Sequence, residues 1–66
     1  MARLEYGERE KRKNRIYRLI RRHRWGLKES EIAEATGLHR RVVNNYLREL
    51  KNQGQIYKDG RYWFAE

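Results

Sequence analysis

Gly26, Gly37 and Gly54 each stand just behind a stretch in which apolar residues recur with the period of an α-helix. Three short helices in succession, each stopped by a glycine, leave few architectures open to the chain. Ile16, Leu19, Ile20 and His23 fall at i, i+3, i+4 and i+7, one face of a first helix predicted from about Glu8 to Arg24. Lys11, Arg15, Arg18, Arg21 and Arg22 fall on the far side of that helix, and Glu8 can pair with Arg12 one turn on. Trp25-Gly26-Leu27-Lys28 breaks the pattern, and Leu27 begins a short extended piece. A second helix is predicted from Glu29 to about Thr36, with Ile32, Ala33 and Thr36 inward and Glu29 and Glu31 at its positive end. Gly37 stops it where a left-handed residue is wanted. Leu38 returns to the core, and a third helix is predicted from about His39 to Asn52. Its Val43, Leu47 and Leu50 face inward, with Tyr46 on the flank.

The last segment, QIYKDGRYWF, has β-branched and aromatic residues on both sides of Asp59-Gly60. Asp-Gly between such runs is a strong hairpin signal. Two registers fit. A two-residue turn pairs Tyr57 with Tyr62, and a three-residue turn pairs Ile56 with Tyr62. Tyr62 and Phe64 are expected to cover the core together with Ile56, leaving Trp63 turned toward solvent.

With 66 residues the chain has room for one core. It contains no cysteine, so neither a disulfide nor a cysteine-bound metal can staple it. Charged residues make up 39% of the chain, a load compatible with disorder. Five Tyr, two Trp and one Phe, together with the regular apolar spacing, argue for a folded domain. No apolar run approaches the ~20 residues of a membrane span, and the N-terminus lacks the apolar stretch of a signal peptide. A cytoplasmic location without membrane attachment is expected.

The net charge of +8 is unevenly spread. Residues 9–24 hold nine basic groups and only one acid, Glu10, whereas residues 25–37 are mildly acidic and residues 38–54 basic again. Twelve of the 17 cations are Arg, which grips phosphate and guanine with a planar fork that Lys lacks. The natural partner of such a chain is a polyanion.

Helix, short strand, helix, tight glycine turn, helix and hairpin follow one another in that order. The segments EIAEATGL at 31–38, VVNNYLREL at 42–50 and G-x-I-Y-K-D-G-R-Y at 54–62 carry a family pattern. Across residues 15–64 the chain resembles a winged helix-turn-helix domain of the compact kind common in bacterial and archaeal transcription regulators. Ala33 and Gly37 match that family's A-x-x-x-G, where a small residue lets the second and third helices approach. The resemblance implies a mainly α fold with a small β-hairpin: three helices, a short strand after the first, and a two-stranded wing. It divides the chain into residues 1–14, a basic extension opening the first helix, and residues 15–66, the domain. It implies binding to double-stranded DNA, with the third helix in the major groove, the wing on the backbone, and a role in transcription regulation.

On the third helix, Arg40, Arg41, Asn44, Asn45 and Arg48 are expected to face outward. Arg can bond guanine O6 and N7 together, and Asn can do the same to adenine N6 and N7. Two adjacent Asn are poor helix formers, so local folding does not call for them. Val42 lies at the edge, suited either to a thymine methyl or to core packing. Backbone contacts are assigned to His39, to Lys58 and Arg61 at the wing tip, and to a basic arm of Arg9, Lys11, Arg12 and Lys13. Two positions depart from the family. Lys28 stands where Thr or Ser often caps the second helix, and it cannot accept that helix's free N–H groups. His39 stands where Ser or Pro often opens the third, which puts a phosphate donor at the groove mouth. The Z-DNA-binding branch's Lys-x-x-x-Asn-x-x-x-Tyr falls on Arg41, Asn45 and Glu49, and the chain has no proline for that branch's wing, so left-handed DNA is not expected.

Other readings stay open on sequence alone. The Arg-rich back of the first helix suits RNA or a second duplex, or is merely solvated. Trp25 and Trp63 either mark a protein or homodimer contact, also available through the first helix, or cap the edge of the core. Exposed Tyr57 or Trp63 would suit single-stranded bases. Enzyme chemistry is not expected. There is no cysteine nucleophile, His23 and His39 lie apart, the one Asp is Asp59 in the turn, and no metal-ligand or phosphate-loop motif occurs. No cofactor is expected.

Overall fold

A computed structural model describes residues 4–66, with side chains from Gly7 onward. Residues 1–3, which open the expected N-terminal extension, lie outside the described residues. The elements are α1 (Leu4–Arg22), β1 (Leu27–Lys28), α2 (Glu29–Thr36), α3 (Arg40–Asn52), β2 (Ile56–Asp59) and β3 (Tyr62–Ala65). The strands form one antiparallel sheet in the order β1-β3-β2. This is a winged helix-turn-helix, with the short strand after α1 joined to the wing as its third strand.

α1 begins before Glu8 and ends two residues ahead of Arg24. It runs without a break across residue 14. At its end the His23 N–H reaches the carbonyls of Leu19 and Ile20, and the His23 ring Nδ1 donates to the same Leu19 oxygen at 2.9 Å. The chain then turns and brings Gly26 tight against β3. A Cβ on Gly26 would lie 2.7 Å from Phe64 Cζ, and the residue has φ +95°. Gly26 is therefore fixed by a close approach to the wing rather than by a helix cap.

α2 has the expected limits. Lys28 at its N-cap makes no side-chain cap hydrogen bond, while its backbone N–H donates to Glu31 Oε1 at 2.9 Å. Gly37 is left-handed, and its N–H closes the helix on the Ala33 carbonyl. α3 starts one residue later than expected because His39 is its cap: Nδ1 accepts from the Arg41 N–H at 3.1 Å.

Ile16 and Ile20 from α1, Leu27 from β1, Ile32 and Ala33 from α2, Val43, Tyr46, Leu47 and Leu50 from α3, and Ile56 and Trp63 from the wing form one buried cluster. Each large member contributes about 1.5–3 kcal/mol by leaving water. Tyr46 is buried rather than flanking, and Val42 is half-buried against the cluster, which leaves it to core packing.

The wing overturns the expected facing. Asp59 pairs with Tyr62, so the turn centres on Gly60-Arg61, and neither anticipated register occurs. Ile56, Lys58, Trp63 and Ala65 share one face. Tyr57, Tyr62 and Phe64 share the other, where Tyr57 stacks on Phe64 at 5.4 Å. Trp63 is 5% exposed and fills the core beneath the sheet, opposite Leu27 of β1. It is unavailable to a partner or to a base. The expected facing follows from Ile56 opposite Tyr62; a change of one in pairing parity exchanges the two faces completely. Trp25, by contrast, does not cap the core. It is 72% exposed, and its ring meets that of His23 in a T-shaped contact at 5.1 Å.

Candidate nucleic-acid interface

The buried row of α3 dictates what its other side shows. With Val43, Leu47 and Leu50 inward, Arg41, Asn45 and Arg48 follow at i, i+4 and i+7 on the outer side, and all three are exposed. None of them has a carboxylate within ion-pair distance among the described residues. An unpaired guanidinium, a carboxamide and a second guanidinium in one row form a set of hydrogen-bonding groups with no internal partner.

The other two expected readers lie to one side. Arg40 and Asn44, four residues apart, face the flank toward the wing, and Asn44 is half-buried. Arg40 approaches Glu29 at 3.7 Å and lines an open cleft of about 430 Å³ with Lys28, Ser30, Lys58 and Arg61. The cleft lies at the first turn of α2, where backbone N–H groups lack intrahelical partners. Four cations around the positive end of a helix suit a phosphate oxygen. Glu29 is the one acid in the lining and neutralises part of this charge.

Lys28 and Ser30 are not among the residues that sequence reasoning singles out for binding. The signal was present in the missing cap: a lysine where an acceptor belongs leaves helix donors open to an outside anion. His39 is exposed at the start of α3. Since its Nδ1 accepts from Arg41, Nε2 carries the ring proton and can donate outward.

Two of the four residues of the expected basic arm, Arg9 and Lys13, are engaged within the fold. Arg9 reaches across to Glu49 of α3 at 3.1 Å and lies 5.6 Å over the Tyr46 ring. Lys13 is a correction: it sits on the inner stripe with Ile16 and Ile20, is 9% exposed, and brings its ammonium to 3.6 Å from Glu10. Its stem covers core and only its tip nears water, so it does not stand out as part of the expected solvent-facing arm. Arg12 is exposed beside the α2–α3 turn, near Leu38 and Thr36.

A model of the HTH domain family matches residues 12–63, most of the described chain. The chain belongs to the HTH domain family. No curated protein and no solved structure gave a significant match. HTH domains are DNA-binding modules rather than catalytic ones, and this HTH domain is a DNA-binding protein of the transcription-regulator kind. Among its described residues no group of His, Asp or Glu is arranged to hold a metal ion, and no helix is long and apolar enough to cross a membrane.

Proposed function

We propose that this HTH domain binds duplex DNA with α3 in the major groove and reads bases through Arg41, Asn45 and Arg48. The exposed, unpaired row of those three residues supports the reading. A helix is the right width for the major groove, and these side chains match guanine and adenine edges. Asn44 and Arg40 extend the contact toward the wing. The β2–β3 turn, carrying Lys58 and Arg61, follows the backbone. Phosphate oxygens settle in the cleft at the start of α2, held by Lys28, Ser30 and Arg40, with His39 Nε2 donating nearby. Backbone contacts supply most of the affinity and base contacts the preference. The protein regulates by occupying its site or by bringing a partner to it.

Fluorescence anisotropy tests this. A duplex site selected from random sequence should bind in preference to random duplex, single-stranded DNA and duplex RNA. Its log–log salt slope should lie at roughly −4 to −7, which corresponds to about five to eight phosphates. Equal binding to selected and random duplexes would remove the base-reading role. Preference for RNA would remove the major-groove reading altogether.

A further inference from the structure

We propose that α1 carries a second nucleic-acid surface, which holds a second DNA duplex while α3 occupies the first. The inference rests on the DNA-binding reading above and adds a second site to it.

Lys11, Arg15, Arg18 and Arg22 recur at i, i+4, i+7 and i+11, and all four are exposed. They make one straight row on the side of α1 away from Ile16 and Ile20, about 16 Å long at 1.5 Å per residue. No acid occurs between Lys11 and Arg24. The carboxylates that pair with cations among the described residues serve Arg9, Lys13 and Arg40 instead. Like charges three and four residues apart repel along a helix, so the row weakens the isolated fold, and no ion pair among the described residues offsets it.

The row also faces away from the first site. Arg9, which binds Glu49 of α3, is nine residues from Arg18, half a rotation around the helix. A duplex seated on α3 therefore leaves the row unused. Beside the row runs a groove of about 320 Å³, floored by Leu19, Ala35 and Thr36 and edged by three of the row's arginines. It offers no aromatic or deep apolar anchor of the kind a protein interface centres on. Three of the four cations in the row are Arg, whose fork matches phosphate oxygens. Duplex DNA carries one charge per ~1.7 Å of axis with both strands counted, so a 16 Å length holds about nine phosphates around its circumference, enough to offer one to each of four cations on one side.

The test is energy transfer between two short duplexes, one carrying a donor and one an acceptor, titrated with the full chain. A parallel series replaces the acceptor duplex with duplex RNA. Wild-type protein should bring two DNA duplexes together. Arg15→Gln/Arg18→Gln should need at least ten-fold more protein to do so. Its salt slope on a single dilute duplex should stay unchanged, since the row touches none of that duplex's phosphates. Arg24→Gln/Lys51→Gln, which removes the same charge elsewhere, should bridge like wild type. The proposal is overturned if wild type binds one duplex without bridging, if the Arg15/Arg18 variant bridges as well as wild type, or if its single-duplex slope falls by ~0.9 per cation removed. Bridging of DNA to RNA but not to DNA would assign the row to RNA and overturn it too. Absence of binding to any single duplex is a separate result, which removes the DNA-binding reading itself.

Discussion

α1 and α3 both turn cations to solvent, yet the two faces differ in kind. α3 places Asn45 between Arg41 and Arg48, and its flanks are engaged by Glu29–Arg40 on one side and Arg9–Glu49 on the other. α1 shows an unbroken row of like charge with no amide among the row's members and no acid after Lys11. A face that combines an amide with guanidinium groups can discriminate adenine as well as guanine, whereas a row of cations with no acceptor offers charge to phosphate and at most a donor fork to guanine. Net charge alone would score the two faces alike. The order of the side chains separates a reading surface from a clamping one.

Both faces depend on one scaffold, and the largest effect should come from breaking it. Gly26→Ala puts a Cβ 2.7 Å from the Phe64 ring at a backbone φ of +95°. Strain and overpacking together should cost about 2–5 kcal/mol. A domain of this size has only about 3–10 kcal/mol in hand. Urea denaturation should show most of the stability gone, and both faces should fail together. A stable variant would mean that the wing does not brace the end of α1.

The next effect separates the two faces. Asn45→Ala should cost roughly 1–3 kcal/mol in preference for the selected site over random duplex. It should leave the salt slope and random-duplex affinity nearly unchanged, because a neutral amide neutralises no phosphate. Lys58→Gln/Arg61→Gln should do the reverse. Affinity falls similarly for all sequences, and the slope drops by up to ~0.9 for each phosphate no longer neutralised. Anisotropy titrations at several salt concentrations measure both. If Asn45→Ala weakened all sequences equally, α3 would be clamping rather than reading, and the contrast with α1 would dissolve.

Why α3 was legible from sequence and the wing was not follows from their periods. A helix with Val43, Leu47 and Leu50 inward has one orientation, and small errors at its ends do not rotate it. His39 is a cap rather than the first helical residue, and Arg41, Asn45 and Arg48 keep their facing all the same. A strand has period two, so its facing depends entirely on parity. Asp59-Gly60 announces a hairpin without stating whether the loop holds two residues or three, and the three-residue loop has the parity that puts Trp63 on the wrong face. The burial of Lys13 was illegible for another reason. Lys13 continues the inner stripe of Ile16 and Ile20 toward the N-terminus, but a lysine there reads as charge and not as four methylenes. The cleft at the start of α2 joins residues from three separate stretches of chain, and only folding brings Lys28 near Lys58 and Arg61.

The smallest effect concerns the boundary between the two faces, where Arg9 meets Glu49. This pair is solvent-exposed on both sides, so its contribution to folding should be no more than ~0.2–1 kcal/mol. Its effect on binding has the opposite sign. Glu49 lies on α3 one turn beyond Asn45, where its carboxylate repels an approaching backbone. Glu49→Gln removes that charge and releases Arg9 from its partner. Stability should fall slightly, while affinity for every duplex should rise a few-fold at low salt, with the slope steepening by up to ~0.9 if Arg9 then takes a phosphate. Arg9→Gln/Glu49→Gln should keep the higher affinity that follows from removing the carboxylate but not the steeper slope, so the cycle isolates the released arginine. An unchanged slope in Glu49→Gln would mean that Arg9 lies beyond the reach of DNA bound on α3, and that α1 contributes to the first duplex through scaffold alone.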